Sequence, residues 1–184
     1  RAVVITGAGK GFCSGADLAA RGESSAIQQK GGSHRALQNY YNPLVTQILR
    51  CPVPVVGRIH GDCYAGGVGL AAVCDVLVAA DGVNFCLSEA KLGPLPGTIS
   101  PYVVRAMGEQ ASRRYFVTAE RFTATQAHTM GFVHEVCAAD ALDAASLRIH
   151  QQLLEAGAAV QLGFVGALDA CFAGEGDARV LVHV

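Results

Sequence analysis

The sequence lacks the charge patterns by which proteins commonly bind nucleic acids or membrane surfaces. Its formal net charge is −1, charged residues make up only 16% of the chain, and no block of like charge occurs. A basic stripe would indicate nucleic acid, and a block of like charge would indicate a membrane surface or an anionic tail. No run of about 18 apolar residues could span a bilayer. We therefore expect neither a nucleic-acid partner nor a membrane association.

The shortage of charge is accompanied by a surplus of apolar residues. Hydrophobic residues account for 51% of the 184 positions, which is more than a typical soluble monomer carries. A chain of this length can form one domain with a substantial core. We expect the apolar surplus to be buried at an interface between subunits.

The seven cysteines include no Cys-x-x-Cys pair, and most of them lie inside apolar segments. They occupy positions 13, 51, 63, 74, 86, 137 and 171. This distribution is typical of reduced core cysteines in an intracellular protein, so we expect a cytoplasmic location. His60 and Cys63 have no second ligand pair at a finger-like spacing, and we expect no metal site.

Two nucleotide-binding motifs are excluded for the glycine-rich segment 7–15. A Walker A motif needs Ser or Thr after its Gly-Lys pair, whereas Lys10 is followed by Gly11. The dinucleotide fingerprint needs a third glycine where this chain has Phe12. The segment follows a short β-branched strand at residues 3–6, and its glycines indicate a loop that brings main chain to a site.

The central stretch, residues 60–89, contains a helix start with unusually exposed main chain. An apolar strand at 53–59 precedes it, and Gly66 and Gly67 are followed by small apolar residues up to Cys74. The first N–H groups of a helix lack internal partners and carry the positive end of the dipole. They can therefore stabilise an oxygen that becomes negative, as in an oxyanion hole. A glycine pair at a helix start can equally indicate tight packing, and both interpretations stay open here.

A single carboxylate follows the next apolar strand, which is predicted at residues 76–80. Glu89 stands among the apolar residues Phe85, Leu87 and Leu92. Loss of hydration would raise the pKa of this carboxyl towards the range that is useful for proton transfer. Glu89 is therefore the candidate catalytic residue, although a carboxylate at a solvated strand end would give the same local pattern.

Several short segments occur in an order and spacing that indicate a family. They are Gly-Phe-Cys-Ser-Gly-Ala-Asp-Leu at 11–18, Ala-Gly-Gly-Val-Gly-Leu at 65–70, Leu-Ser-Glu at 87–89, Leu-Gly-Pro at 92–94, Thr-Ala-Glu-Arg-Phe at 118–122 and Gly-Phe-Val at 131–133. Together they resemble the crotonase (enoyl-CoA hydratase/isomerase) superfamily. The resemblance implies an α/β fold, the crotonase (ClpP-like) spiral of ββα units with surrounding helices.

The resemblance also implies roles for particular residues. Members of this superfamily hold the oxygen of an acyl thioester with two backbone N–H groups, which match Ala16 and Gly66 here. Glu89 matches the catalytic carboxylate. Coenzyme A thioesters are the implied substrates, with no separate cofactor, and the shared intermediate of the superfamily is an enolate.

Further positions in the matching segments are candidates for binding the substrate. Lys10 lies where the family often places a basic residue near the CoA phosphates, although a solvated loop lysine fits equally well. Tyr64 and Ser88 are polar candidates for holding a water molecule. The other candidates are Ser14, Asp17, Leu18, Gly67, Gly69 and Pro96. The polar segment 17–32 is expected to form a mobile lid of the pocket.

The residue type at position 69 bears on which reaction we expect. Many crotonase-type hydratases have a first glutamate here, so Glu89 is left as the only carboxylate that the resemblance carries over. We favour an enoyl-CoA hydratase, because the chain is most similar to the bacterial methylglutaconyl-CoA hydratase branch, which commonly has the same glycine. An enoyl-CoA delta-isomerase that uses Glu89 alone is the alternative within enzymes. A non-catalytic acyl-CoA-binding or scaffold protein is the alternative from another class.

Three arginines are candidates for a contact with the acyl group. A methylglutaconyl group would favour a cation near its distal carboxylate, and Arg105, Arg113 and Arg114 are candidates for that cation. Gly97 stands where the dienoyl isomerases of the superfamily use an aspartate, which disfavours their chemistry.

The ends of the chain depart from the family pattern. The resemblance covers residues 1–154, which we assign to a crotonase-like core domain that lacks the usual N-terminal segment. Residues 155–184 form an atypical C-terminal segment, because they do not match the closing helices of the family. The resemblance implies a homotrimer or a dimer of trimers.

Hydrophobic spacing and turn signals predict the remaining elements. The apolar positions of 34–50, Tyr41 among them, have helical spacing, so the aromatics of that helix are expected in the core. Thr123 and Gln126 form a capping box for a short helix that ends at Gly131. The other predicted elements are helices at 102–108 and 110–119, an edge segment at 132–136, and a helix from Asp140, as its cap, to about residue 154.

Overall fold

The computed structural model describes residues 1–15, 41–92 and 97–156, which form two sheets surrounded by helices. The strands are β1 (Val3–Ile5), β2 (Val55–Ile59), β3 (Cys63–Tyr64), β4 (Val76–Ala80), β5 (Asn84–Cys86), β6 (Arg121–Thr123) and β7 (Glu135–Cys137). The helices are α1 (Asn42–Leu49), α2 (Gly66–Ala72), α3 (Glu89–Leu92), α4 (Ser100–Met107), α5 (Glu109–Thr118), α6 (Ala124–Thr129) and α7 (Leu142–Glu155). No helix within these ranges is long and apolar enough to cross a membrane.

The larger sheet is parallel throughout and has the strand order β1-β2-β4-β7. Val3 lies opposite Val55, and Val56 lies opposite Val76. The two inner strands, β2 and β4, consist mostly of buried residues. Continuous apolar runs of this kind are what parallel strands need when helices cover both faces. The α/β class predicted from the sequence is thus confirmed.

Two strands of the smaller sheet directly follow strands of the larger one along the chain, β3 after β2 and β5 after β4. Strand β5 lies in its centre, parallel to β3 and antiparallel to β6. A bridge between Cys13 and Cys63 extends the sheet towards the loop after β1. The ends of separate strand–turn segments therefore meet at one place in the fold.

A cluster of three phenylalanines joins the smaller sheet to the rest of the core. Phe85 is fully buried and stacks on Phe122, with ring centroids 5.4 Å apart. Phe132 approaches the same ring edge-on at 5.6 Å. Both arrangements are favoured by the charge distribution of aromatic rings. The cluster fixes the strand that leads to Glu89.

Local sequence signals locate several elements well. The strand at 76–80 and the capping box are confirmed: Thr123 accepts a hydrogen bond from the Gln126 N–H at 3.2 Å, and the Gln126 side chain accepts one from the Thr123 N–H at 2.8 Å. The prediction that Asp140 caps the following helix is wrong. A 3₁₀ turn (Ala139–Ala141) precedes α7, whose N-cap residue makes no side-chain cap.

Other predictions fall wholly or partly outside the described residues. The helix predicted at 34–50 is observed over Asn42–Leu49, while its first part and the predicted lid at 17–32 lie outside the described ranges. The same holds for residues 157–184, so the division into a core domain and a C-terminal segment stays a prediction.

One histidine links the larger sheet to its edge strand. The ring Nδ1 of His134 accepts a hydrogen bond from the backbone N–H of Leu77 at 2.9 Å. The backbone N–H of His134 donates to the Leu77 carbonyl at 3.0 Å. Burial, together with the nearby His128, lowers the pKa of His134 from 6.5. The bond from Leu77 requires a ring nitrogen without a proton, so protonation of His134 opposes this contact.

This contact predicts a pH-dependent stability. Because the folded pKa lies below the unfolded value of 6.5, the unfolded chain binds more protons as the pH falls through this region. The free energy of unfolding should therefore decrease below that value. In His134→Asn, the amide oxygen can still accept the Leu77 N–H but does not titrate. Urea unfolding between about pH 5 and 8 should show a shallower pH dependence for this variant.

The matched control is His150→Asn on α7, which should keep the pH dependence of the wild-type protein. If His134→Asn retained the wild-type slope, the titration of His134 would not account for the loss of stability.

Candidate functional site

The loop that follows β1 is fastened to the turn between β2 and β3. His60 Nε2 lies 2.9 Å from the carbonyl oxygen of Gly9. A side chain at Gly61 would place its Cβ 2.2 Å from the Lys10 carbonyl oxygen, a distance that no real side chain tolerates. Glycine at this turn therefore lets two main chains touch, as its lack of a Cβ allows.

The far end of this loop meets the first turn of α2. A Cβ added to Gly15 would lie 3.4 Å from the Gly66 nitrogen, and Gly15 itself has φ +90°. A Cβ on Gly67 would lie 2.6 Å from the Cys13 carbonyl oxygen. The residue before Ala16 thus lies beside the Gly66 amide. Ala16 itself, like Asp17, Leu18 and Pro96, lies outside the described residues.

These distances correct part of the interpretation of the glycine pair. Gly67 is buried against Cys13, so the requirement for glycine at this position comes from tight packing and gives no support to a direct ligand contact. Gly66 is only partly buried, and its Cβ direction faces the ring of Tyr41 at 3.4 Å. Of the two interpretations left open by the sequence, packing applies to Gly67, while Gly66 keeps its main chain at the site.

The turn that begins α2 is held in an unusual conformation. Ala65 has φ +50° and ψ −122°, a combination that costs a non-glycine residue about 1–3 kcal/mol. Its N–H donates to the Cys86 carbonyl at 2.8 Å, and its carbonyl accepts from the Val68 N–H at 2.9 Å. Within the described part of the chain, the Gly66 N–H has no acceptor. The strained turn therefore presents this amide as a free donor.

Glu89 is the first residue of α3 and is partly buried. Its Oε2 atom is buried and has no hydrogen-bond partner among the residues that the structure describes. Burial raises the pKa of this carboxyl, and a bond from its own backbone N–H offsets the effect only in part. Phe85 and Leu87, which precede Glu89 in the chain, are buried, whereas the side chain of Leu92 lies outside the described residues.

Tyr41 joins these parts of the site. Its hydroxyl donates to the Gly66 carbonyl at 2.6 Å. A Cβ at Gly69 would lie 2.5 Å from the same hydroxyl and 2.4 Å from the Ile99 side chain. Burial raises the pKa of Tyr41, and the nearby Glu89 is among the groups that raise it further. The hydroxyl therefore stays protonated and lies within electrostatic reach of the carboxylate.

Sequence reasoning placed Tyr41 in the core and missed this contact. Its ring does pack against the core, but its hydroxyl points to the main chain of α2. The available signal was the chemistry of the side chain, because a buried tyrosine hydroxyl usually finds a hydrogen-bond partner.

The two residues proposed to hold a water molecule have different surroundings. The Tyr64 hydroxyl donates to an oxygen of Asp62, and the Arg121 guanidinium lies 5.5 Å from the centre of the Tyr64 ring. Burial and the Asp62 contact raise the pKa of Tyr64 to about 12. The hydroxyl hydrogen of Tyr64 is thus already used in the bond to Asp62. This contact gives no support to a role for Tyr64 in holding a water molecule. Ser88 is partly buried, and its carbonyl accepts from the Lys91 N–H at 3.1 Å.

The remaining candidates lie either on the exposed loop after β1 or in the packed interior of α2. Lys10 and Ser14 are exposed on the loop after β1, which fits either a contact with the CoA phosphates or a solvated surface. Gly69 is buried between Tyr41 and Ile99, so its direct contact with a ligand has no support either.

The arginines proposed to bind the distal carboxylate of a methylglutaconyl group lie on α4 and α5. Arg113 pairs with Glu109 at 3.7 Å, and Arg114 pairs with Glu120 at 2.6 Å. Arg105 is exposed. Both paired arginines already have acidic partners on the surface.

No group of three or more His, Cys, Asp or Glu side chains in the described ranges could hold a metal ion. The six cysteines in these ranges are free thiols. Burial raises the pKa of Cys63 and of Cys86, so these thiols are poor nucleophiles. The chemistry available in this part of the chain therefore comes from the Gly66 amide, the Glu89 carboxyl and the Tyr41 hydroxyl.

Comparison with known proteins identifies the family of the chain. The family model described as enoyl-CoA hydratase/isomerase matches residues 1–177. An enoyl-CoA hydratase of Alternaria alternata is 40% identical over 134 residues, which cover 73% of this chain and 42% of that protein. The 1,2-epoxyphenylacetyl-CoA isomerase of Escherichia coli is 30% identical over 139 residues, which cover 74% of this chain and 52% of that protein. The chain thus spans only about half the length of these relatives.

A solved structure confirms the fold. The crystal structure of an enoyl-CoA hydratase from Shewanella pealeana superposes with a TM-score of 0.84 at 33% sequence identity. The match covers 96% of this chain and 65% of that protein. The predicted crotonase spiral is therefore correct, and the chain belongs to the enoyl-CoA hydratase/isomerase family, the crotonase superfamily.

Proposed function

We propose that the protein is an enoyl-CoA hydratase, which adds water across the α,β double bond of an acyl-CoA thioester. The observation that carries the proposal is the buried carboxyl of Glu89, whose Oε2 has no hydrogen-bond partner among the described residues. A buried, unpartnered carboxylate oxygen is costly for stability, so its retention favours a catalytic use.

The first step of the proposed mechanism is binding of the thioester carbonyl. The Gly66 N–H would donate to the thioester oxygen, and the N–H of Ala16 would be the second donor. Support comes from Gly15, which precedes Ala16 and lies beside the Gly66 nitrogen. Each such donor contributes about 3 kcal/mol when the oxygen becomes negative. Two donors would thus favour the enolate over the bound substrate.

The second step is addition of water. Ionised Glu89 would accept one proton from a water molecule while the water oxygen bonds to C3 of the enoyl chain. The electrons of the double bond move to the thioester oxygen and form the enolate. Protonated Glu89 then gives the same proton to C2, which restores the carbonyl and the ionised carboxylate. One water molecule is consumed, and no redox partner is needed.

A carboxyl suits both halves of this cycle when its pKa approaches the working pH. The pKa of Glu89 is raised by burial, as this requires. A fully solvated carboxylate would have a lower pKa and would be a weaker base towards water.

Isomerisation of the double bond is the second candidate function. It is favoured by Gly69, since no carboxylate accompanies Glu89 from this position, and a single acid–base group suffices to move a proton between C2 and C4. A non-catalytic acyl-CoA-binding protein remains the alternative that lacks both reactions.

The proposed acyl group and the proposed assembly have separate support. A methylglutaconyl group is supported by the sequence resemblance alone, because Arg113 and Arg114 have acidic partners on the surface. A homotrimer is proposed from the family and is supported by exposed apolar side chains, such as Val117, which is 80% exposed, and Leu147, which is 58% exposed. A cytoplasmic location is proposed from the free thiols.

Two spectroscopic assays separate the candidate functions. With a 2-enoyl-CoA thioester, a hydratase should remove the absorbance of the conjugated double bond. With a 3-enoyl-CoA thioester, an isomerase should generate that absorbance. We expect the first signal to dominate. A protein that gave only the second would be an isomerase, and one that bound the thioester without either signal would be a binding protein.

Replacing Glu89 with glutamine should abolish turnover and preserve binding. The amide keeps the size of the side chain but cannot accept and return a proton. We expect kcat for hydration to fall by about 10²-fold to 10⁴-fold, with little change in the Kd of a saturated acyl-CoA. Glu109→Gln is the matched control, because Glu109 is exposed on α5, and its hydration rate should be that of the wild type. A normal rate in Glu89→Gln would remove Glu89 from the mechanism.

The pH profile of kcat/KM should report the Glu89 carboxyl. Hydration needs the ionised form in the free enzyme, so activity should fall as the pH decreases through the pKa of Glu89. Because burial raises this pKa, the midpoint of the acid limb should lie above 4.5. Circular dichroism at each pH would show whether the enzyme stays folded. A midpoint at or below 4.5 for the folded enzyme would contradict the assignment.

A further inference from the structure

The proposed hydration leaves the orientation of the water molecule unexplained. Water has two hydrogens, and the lone pair that attacks carbon points away from both of them. If only Glu89 accepts a hydrogen bond, the water can rotate about that bond, and its lone pair has no fixed direction. A second acceptor beside the carboxylate would fix the direction and reduce the entropic part of the barrier.

The Tyr41 hydroxyl has the required hydrogen-bonding capacity. A hydroxyl carries one hydrogen to donate and two lone pairs that can accept. The Tyr41 hydrogen is already committed to the Gly66 carbonyl at 2.6 Å. This contact fixes the rotation of the hydroxyl group and leaves its oxygen as an acceptor. The bond thus turns Tyr41 from a donor into an oriented acceptor at the site.

The position of the hydroxyl is defined by its surroundings. It lies 2.5 Å from where a Cβ at Gly69 would be, and the Ile99 side chain lies 2.4 Å from the same point. Only glycine at position 69 leaves room for both groups. The hydroxyl therefore occupies space on the α2 side of the site, held at the same glycine turn that presents the Gly66 amide.

The Glu89 carboxylate is close enough to the Tyr41 hydroxyl to affect its pKa. Burial is the main cause that raises the pKa of Tyr41, and Glu89 is one of the acidic groups that raise it further. Burial raises the pKa of the Cys63 thiol, so this thiol carries no charge at neutral pH. The buried Oε2 of Glu89, which has no hydrogen-bond partner among the described residues, is left as an acceptor for a water molecule beside Tyr41.

We propose that the Tyr41 oxygen accepts a hydrogen bond from the water molecule that Glu89 deprotonates, which makes Tyr41 a catalytic residue of hydration. This inference rests on the proposed hydratase function. One water hydrogen points to Tyr41 and the other to Glu89, so the attacking lone pair is directed at C3.

The proton balance is simple. The hydrogen that faces Glu89 moves to the carboxylate and then to C2. The hydrogen that faces Tyr41 stays on the oxygen and becomes part of the new hydroxyl group at C3. Tyr41 keeps its own proton on the bond to Gly66 throughout. Its contribution is therefore confined to the step in which water is the nucleophile.

This restriction provides the test. Tyr41→Phe should lower kcat for hydration of a 2-enoyl-CoA by about fivefold to tenfold, the effect of one lost hydrogen bond. Exchange of the C2 hydrogens of a saturated acyl-CoA with deuterium in D2O needs Glu89 and the enolate but no nucleophilic water at C3. That exchange should remain within about twofold of the wild-type rate, a difference below the value of one hydrogen bond.

Tyr115→Phe is the matched control, because it removes a hydroxyl from a buried tyrosine whose ring packs against Phe122 in the core. It should leave both rates unchanged. Equal loss of hydration and exchange in Tyr41→Phe would show that Tyr41 acts only through the structure of the site, and unchanged hydration would show that it does not act at all. Either result overturns the inference and leaves the hydratase proposal intact.

Failure of the hydratase proposal gives a different result. If the wild-type protein exchanges the C2 hydrogens but does not hydrate a 2-enoyl-CoA, the proposed function and this inference both fall.

Discussion

The close approach of two main chains is the constraint on which the site depends. Gly67 lies so near the Cys13 carbonyl that any side chain there would overlap it, and Gly15 lies beside the Gly66 nitrogen. These contacts bring together loops that follow different strands of the parallel sheet. Without them, the loop that carries Gly15 would not lie beside the Gly66 amide. The strained backbone of Ala65 is maintained by the same packing.

Around this constraint, the fold places groups that are each incompletely satisfied. Glu89 has a buried oxygen without a partner among the described residues, and the Gly66 N–H likewise has no acceptor there. Tyr41 donates to the Gly66 carbonyl and keeps acceptor capacity on its oxygen. A cluster of this kind reduces stability unless a ligand completes it. A local loss of stability at one point of an otherwise well-packed domain is typical of functional sites.

The sequence predicted what depends on neighbouring residues and missed what depends on distant ones. The capping box at Thr123 is recognisable because both partners lie within one helical turn. The role of Gly67 could not be separated from ligand access, because the atom that excludes a side chain belongs to Cys13. Tyr41 was assigned to the core because helical spacing describes its ring, whereas its hydroxyl meets a carbonyl 25 residues away. At Asp140, a short 3₁₀ turn replaced the predicted cap.

The most direct test of this account is a crystal structure of the protein with a saturated acyl-CoA thioester. The thioester oxygen should lie about 2.7–3.1 Å from the nitrogens of both Gly66 and Ala16, with the Glu89 carboxylate facing C2 and C3 of the acyl chain. A thioester oxygen that met neither nitrogen, or a Glu89 side chain turned into solvent in the complex, would contradict it.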